Sequence, residues 1–252
     1  LATLIAQGIS AVISFALLMR KLKGYREEEK VRLYSGEMAA SMVKIAVPST
    51  LQQSIVHVGI LLVQAVINSF GSTALAGYSA GMRIESLSIV PMLAMGNAMS
   101  TFTAQNMGAG NIDRVKKGYQ MCYVIVLTAG AVLCIMYQLA GGMFVSLFLD
   151  SGSSEAYNIG LSYVRFLSFF YSFIGLKAST DGLLRGAGDV VAFTVANLVN
   201  LAIRVSVTNL FAPVYGIQVA WMAVPLGWAA NYVISFGWYL TGKWKNVRVI
   251  RK

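Results

Sequence analysis

Several ionisable side chains sit inside apolar stretches that ordinarily exclude them. Lys177, Asp181 and Arg185 follow one another at intervals of four. On a helix that spacing makes one stripe, in which Asp181 can answer both cations in turn. Glu85 and Arg204 lie within two other apolar runs. An arginine cannot shed its proton, so Arg204 needs a counter-charge or a wet cavity, and a Glu85–Arg204 pair is the expected solution. Groups of this kind either clamp helices together or help an ion or charged solute across a membrane. His57, the one histidine, has the chemistry for proton transfer. A neutral, hydrogen-bonded imidazole is the plainer reading.

Uncharged polar residues form stripes of their own. At 100° per residue, Ser49, Gln53, His57, Gln64 and Asn68 fall within roughly 100° of arc. A cavity-lining helix face and interhelical hydrogen-bond glue both fit that stripe. Asn197, Asn200, Arg204 and Thr208 share a narrower one. Arg165, Ser168, Ser172 and Ser179 mark a further face, with the cavity as its suggested direction. Met92, Met95 and Met99 line one side of their run. Methionine suits an adaptable drug pocket and packs equally well in an interhelical core. Cys122 and Cys134 lie 12 residues apart in one run, about 18 Å by helical rise, so they cannot bridge within that helix. No nucleophile–base arrangement, Cys/His metal cluster or phosphate-binding loop is legible, which predicts no catalytic residues, no metal and no cofactor.

The elements that hold these residues are set by composition. The chain has 252 residues, 57% hydrophobic and 12% charged, against about 25% charged in soluble domains. Its apolar residues come in runs of a length that spans the hydrocarbon core as helices. The expected fold is an all-α polytopic membrane protein with seven transmembrane helices, near 1–19, 45–70, 84–106, 119–142, 156–181, 190–212 and 216–241. The segments after the odd-numbered spans carry six, three, one and five Lys or Arg, and the intervening "GSTALAGYSAG", "LDSGSSEAYN" and "PVYG" carry none. That asymmetry predicts a cytoplasmic C-terminus in a multi-pass protein of the cell membrane. The net charge of +10 is therefore membrane topology, and no nucleic-acid partner is expected. Residues 20–43 read as a charged surface linker. Span 1 (1–19) then belongs to a preceding domain, and 44–252 form a six-helix lobe with a short basic tail. A first span already under way at Leu1 suggests a piece of a longer protein.

"GYSAGMRIESLSIVPMLAMGNAMSTFTAQNMGAGNIDRVKKG", "DGLLRGAGDVV" and "KIAVPSTLQQSIVHVGILLVQAVINSFG" resemble, in order and spacing, the eighth helix with its flanking loop, the turn between the tenth and eleventh helices, and the seventh helix of the multidrug and toxic compound extrusion (MATE) family. The resemblance implies one lobe of a two-lobe, twelve-helix transporter whose N-terminal lobe is the missing partner. It also implies export of small organic, often cationic, compounds in exchange for H⁺ or Na⁺. Gln53, His57, Gln64, Asn68, Met92, Met95, Met99 and Asn200 become cavity candidates, and Glu85, Arg204, Lys177 and Asp181 charged candidates within the membrane. One family feature does not carry over. Some members hold a cation with carboxylates on the seventh and tenth helices, but span 2 has no Asp or Glu and span 5 has only Asp181, near its inner end. Other members place the coupling carboxylate in the N-terminal lobe.

The leading expectation is a secondary active exporter working by alternating access. The alternative is a flippase of lipid-linked precursors with related architecture. A seven-helix retinal protein is disfavoured by the long charged linker after span 1 and by the inner position of Lys177.

Overall fold

The computed structural model describes residues 2–22, 35–150 and 155–246. Among them are eight α-helices and one short 3₁₀ turn: α1 Ala2–Leu22, α2 Gly36–Asn68, α3 Ser72–Gly108, α4 Ile112–Ser146, α5 Glu155–Ser168, α6 Tyr171–Gly186, α7 Val190–Tyr215, α8 Gln218–Leu240, then Lys243–Asn246. The chain divides into two units, Leu1–Lys44 and Ile45–Lys252. The first holds α1 and the opening turns of α2. Most of the expected linker, residues 23–34, lies outside the described residues, and its last part is already helical.

In the second unit α3 packs along α5 and α6, α4 closes on both of these, and α7 and α8 form a tight antiparallel pair. Small residues permit the closest approach. A Cβ on Gly96 would stand 2.6 Å from the Ala178 carbonyl oxygen, and one on Gly182 would run into the Gly96 carbonyl. Backbone contact of this kind gives membrane helices the packing that water cannot drive. The outer surface is apolar. Leu87, Val90 and Leu93 of α3 and Val132, Ile135 and Leu139 of α4 are exposed, as hydrocarbon requires.

Among the described residues, α3, α4, α7 and α8 are long and apolar enough to cross a membrane, and α5 with α6 makes a fifth span bent by 54°. The sequence expectation is one span over 156–181, and the structure breaks it into two helices. Gln138 of α4 explains the bend. Its amide donates to the Arg165 carbonyl at 2.8 Å and to Ser168 Oγ at 2.8 Å, and Ser168 Oγ donates to the same carbonyl at 2.7 Å. Side chains inserted into the backbone ladder are a known cause of kinks. A second correction concerns the expected outer loop "GSTALAGYSAG". Only Ser69–Gly71 turn, and α3 begins at Ser72. Gly77 and Gly81 do not loosen the chain there. They press α3 against α5, where a Cβ on Gly81 would lie 2.7 Å from the Tyr163 ring. At the other end α3 stops at Gly108, and Gly110 turns the chain with φ +74°, a conformation costly for residues bearing a Cβ.

Candidate functional site

Two polar clusters interrupt the apolar interior. The first stands between α3, α5, α7 and α8. Tyr78 and Glu85 are seven apart on α3, two turns along one face, and both are buried, Glu85 to 5% exposure. The Tyr163 hydroxyl of α5 donates to Glu85 Oε2. The Tyr163 ring is held between Tyr78, edge-on at 5.3 Å, and Trp221 of α8 at 5.6 Å. Arg204 of α7 acts electrostatically on Tyr78, Glu85 and Tyr163. The expected direct pair does not form: among the described residues Glu85 has no ion pair, and the Arg204 guanidinium faces the Tyr78 hydroxyl instead, with its Nε buried and unpartnered. Trp221 also lines a cavity of about 360 Å³ with Glu155, Asn158 and Gln218. Trp221 thus touches both that cavity and the Tyr163 ring.

The second cluster lies between α6, α7 and α8. Lys177 Nζ meets Asp181 Oδ2 at 3.1 Å and donates to Asn197 Oδ1 at 3.1 Å. Asn197 Nδ2 donates to Asp181 Oδ2 at 3.3 Å, and Ser235 Oγ donates to Asp181 Oδ1 at 2.7 Å. Asn231, fully buried, has its amide nitrogen unpartnered. Arg185 departs from the expected clasp. Its guanidinium donates to Asn97 Oδ1 at 2.8 Å and to Ser100 Oγ at 3.4 Å, both on α3. Among the described residues Asp181 therefore answers Lys177 as its one cation, because the Arg185 side chain is drawn to α3.

The remaining candidates disperse. His57 is exposed, and Gln64 donates to Asn68 along α2 at 3.0 Å. The side chains of Ser49 and Gln53 lie outside the described residues. Met92 and Met99 are buried in the interhelical core, with Met95 packed against it. Asn200 faces α8, where a Cβ on Gly227 would strike its amide oxygen. Thr208 is buried without a hydroxyl partner. Ser168 and Ser179 are buried while Arg165 is exposed, so that set does not share a cavity face. Cys122 and Cys134 are free thiols, and Cys122 lies 3.1 Å from Ser179 Oγ.

Sequence reasoning passed over the tyrosines. Tyr119, Tyr123 and Tyr232 form a hydroxyl chain around Thr180, with Tyr119 and Tyr123 at 2.7 Å and 3.0 Å from its Oγ1 and Tyr123 donating to Tyr232 at 3.2 Å. The available signal was the i, i+4 spacing of Tyr119 and Tyr123, since a buried hydroxyl must find a partner.

The MatE family profile matches residues 48–210. The chain is 26% identical over 249 residues to the probable multidrug resistance protein YpnP of Bacillus subtilis (strain 168), covering 98% of this chain and 55% of that protein. It is 20% identical over 220 residues to the probable multidrug resistance protein NorM of Thermotoga maritima, covering 84% and 46%. Among solved structures, an outward-facing multidrug resistance MATE family transporter of the MOP superfamily superposes with a TM-score of 0.74 at 18% identity, over 79% of this chain and 44% of that one. An inward-facing form superposes with a TM-score of 0.69 at 18% identity, over 85% and 50%. The chain spans about half the length of the curated relatives it matches. With a profile match over more than half of its residues and the helical fold of these transporters, the chain belongs to the MatE family, whose members are transporters rather than enzymes.

Proposed function

We propose that this chain is the C-terminal lobe, with the preceding helix (1–19) and linker (20–43), of a secondary active multidrug exporter. Its substrates are small organic cations, its coupling ion is H⁺ or Na⁺, and its C-terminus lies in the cytoplasm of a cell whose plasma membrane it spans. The names of the relatives support multidrug efflux, and the alternative of a lipid-linked precursor flippase draws no support from them. The observation that carries the coupling part is Glu85. Of the two carboxylates just described in the bundle interior, Asp181 is ion-paired with Lys177. Glu85 is buried with a tyrosine hydroxyl as its bonded partner and Arg204 as an unbonded electrostatic neighbour. A buried carboxylate without an ion pair invites a proton or a cation, and binding that differs between two conformations is what coupling requires.

The test is transport by the full-length protein in proteoliposomes loaded with a cationic dye, with Na⁺ and pH gradients imposed separately. Dye movement should respond to one gradient and name the ion. Glu85→Gln should abolish that response in a protein that remains folded. Wild-type indifference to both gradients would remove cation antiport. An unchanged Glu85→Gln response would move the coupling carboxylate elsewhere, the N-terminal lobe included.

A further inference from the structure

At the end of the bundle where α4 starts and α8 finishes, basic side chains are held in place instead of trailing on a loop. Trp244, in the 3₁₀ turn after α8, is fully buried, stacks on Tyr239 at 5.6 Å and donates its indole N–H to the Tyr239 carbonyl at 3.1 Å. That anchor fixes the two lysines beside it. Lys245 Nζ stands 5.8 Å from the Trp244 ring centre, and Lys243 Nζ 5.1 Å from that of Trp238. Trp238 is itself tied down, its indole N–H donating to Asp189 Oδ2 at 2.6 Å. Across from this turn, Tyr119 of α4 packs on Tyr239 at 4.7 Å. That contact brings the first turns of α4, with Arg114, Lys116 and Lys117, to the same end, and Lys245 acts electrostatically on Asp113 there. Two carboxylates share the patch, Asp113 bonded to Lys116 at 2.9 Å and Asp189 occupied by Trp238. The surplus is positive. It lies at the ends of two helices long and apolar enough to cross a membrane, α4 and α8, where such helices meet lipid headgroups.

We infer that Lys243, Lys245 and Lys117 form a binding site for the headgroup of an anionic phospholipid. The charge is complementary to a phosphodiester, lysine ammonium groups are good phosphate partners, and basic surfaces beside membrane helices recruit anionic lipids. The ring contacts add a specific element. They hold two of the lysines before a lipid arrives, which lowers the ordering cost of binding. Apolar surface on the adjoining face of α4, Met121, Val124 and Ile125, is exposed for the acyl chains to lie against. This assignment is independent of what the protein transports.

The test is native mass spectrometry of the full-length protein in detergent, titrated with phosphatidylglycerol or phosphatidylcholine. Phosphatidylglycerol adducts should form at lower lipid concentration. Lys117→Gln, Lys243→Gln and Lys245→Gln combined should weaken them by about fivefold per lysine removed. The same positions changed to Arg should keep them, and so should Arg83→Gln, which lies on the other half of α3. Equal adducts with both lipids, or phosphatidylglycerol binding untouched by the triple Gln variant, would overturn the site. Displacement of the lipid by millimolar inorganic phosphate alone would also overturn it, and would make the patch a site for a free anion.

Discussion

Asp181 is held on both of its oxygens, by Lys177 and Asn197 on one and by Ser235 on the other. A buried pair of this kind is expensive to break because the surviving partner keeps its charge in a poor solvent for it. Lys177→Met and Asp181→Asn should therefore each destabilise the lobe by about 3 kcal/mol. The double variant should lose much less than the sum of the two single losses, as read from thermal unfolding in detergent. Additive losses would mean that the two side chains do not act as a unit. The i, i+4 spacing made this pair legible in the sequence. The partner of Arg185 was not legible, because Asn97 and Ser100 come within reach only once α3 lies along α6. Glu85 shows the same limit. Its position inside an apolar run was plain, but its bond to Tyr163 spans 78 residues, and a tyrosine within such a run reads as bulk.

Helix placement followed from the lengths of the apolar runs, and the departures from it arose from contacts between helices. The α5–α6 bend has no proline or glycine at its break, the signals that usually announce one. It depends on Gln138, a residue of another helix. Gln138→Leu should lower stability by about 1–2 kcal/mol through the lost bonds to Arg165 and Ser168. The check is the unfolding midpoint, with Gln138→Glu as a variant of similar shape whose carboxylate can donate to neither the Arg165 carbonyl nor Ser168 Oγ. The glycines of α3 mislead in the opposite way, since a cluster that reads as a loop is a packing surface. Gly96→Val should force α3 from α6 and cost more than the ordinary 1–3 kcal/mol of overpacking, because the obstacle is the Ala178 carbonyl and not a movable side chain. Gly108→Ala meets open space and should leave the stability within about 0.5 kcal/mol of wild type. If both substitutions behaved alike, the close α3–α6 approach would not hold.

Charge is arranged over the molecule as a whole. The end that gathers Arg114, Lys117, Arg185, Lys243 and Lys245 is joined through the α4, α6 and α8 termini. The described turns at the opposite end, residues 69–71, 147–150 and 216–217, carry Asp150 and no Lys or Arg, and Glu155 opens α5 beside them. Positive charge is retained on the cytoplasmic side during insertion, so the basic end should face the cell interior. Single cysteines can read this in intact cells, with Cys122 and Cys134 replaced by Ala and the other cysteines of the full-length protein removed. A cysteine at Tyr215, exposed at the α7 terminus, should react with a membrane-impermeant maleimide added outside. One at Asn246, exposed at the other end, should react only after permeabilisation. The reverse pattern would turn the bundle over and place Trp221 and its adjoining cavity on the cytoplasmic side. Protection of both sites in permeabilised cells would mean that neither end is the open terminus that its exposure indicates.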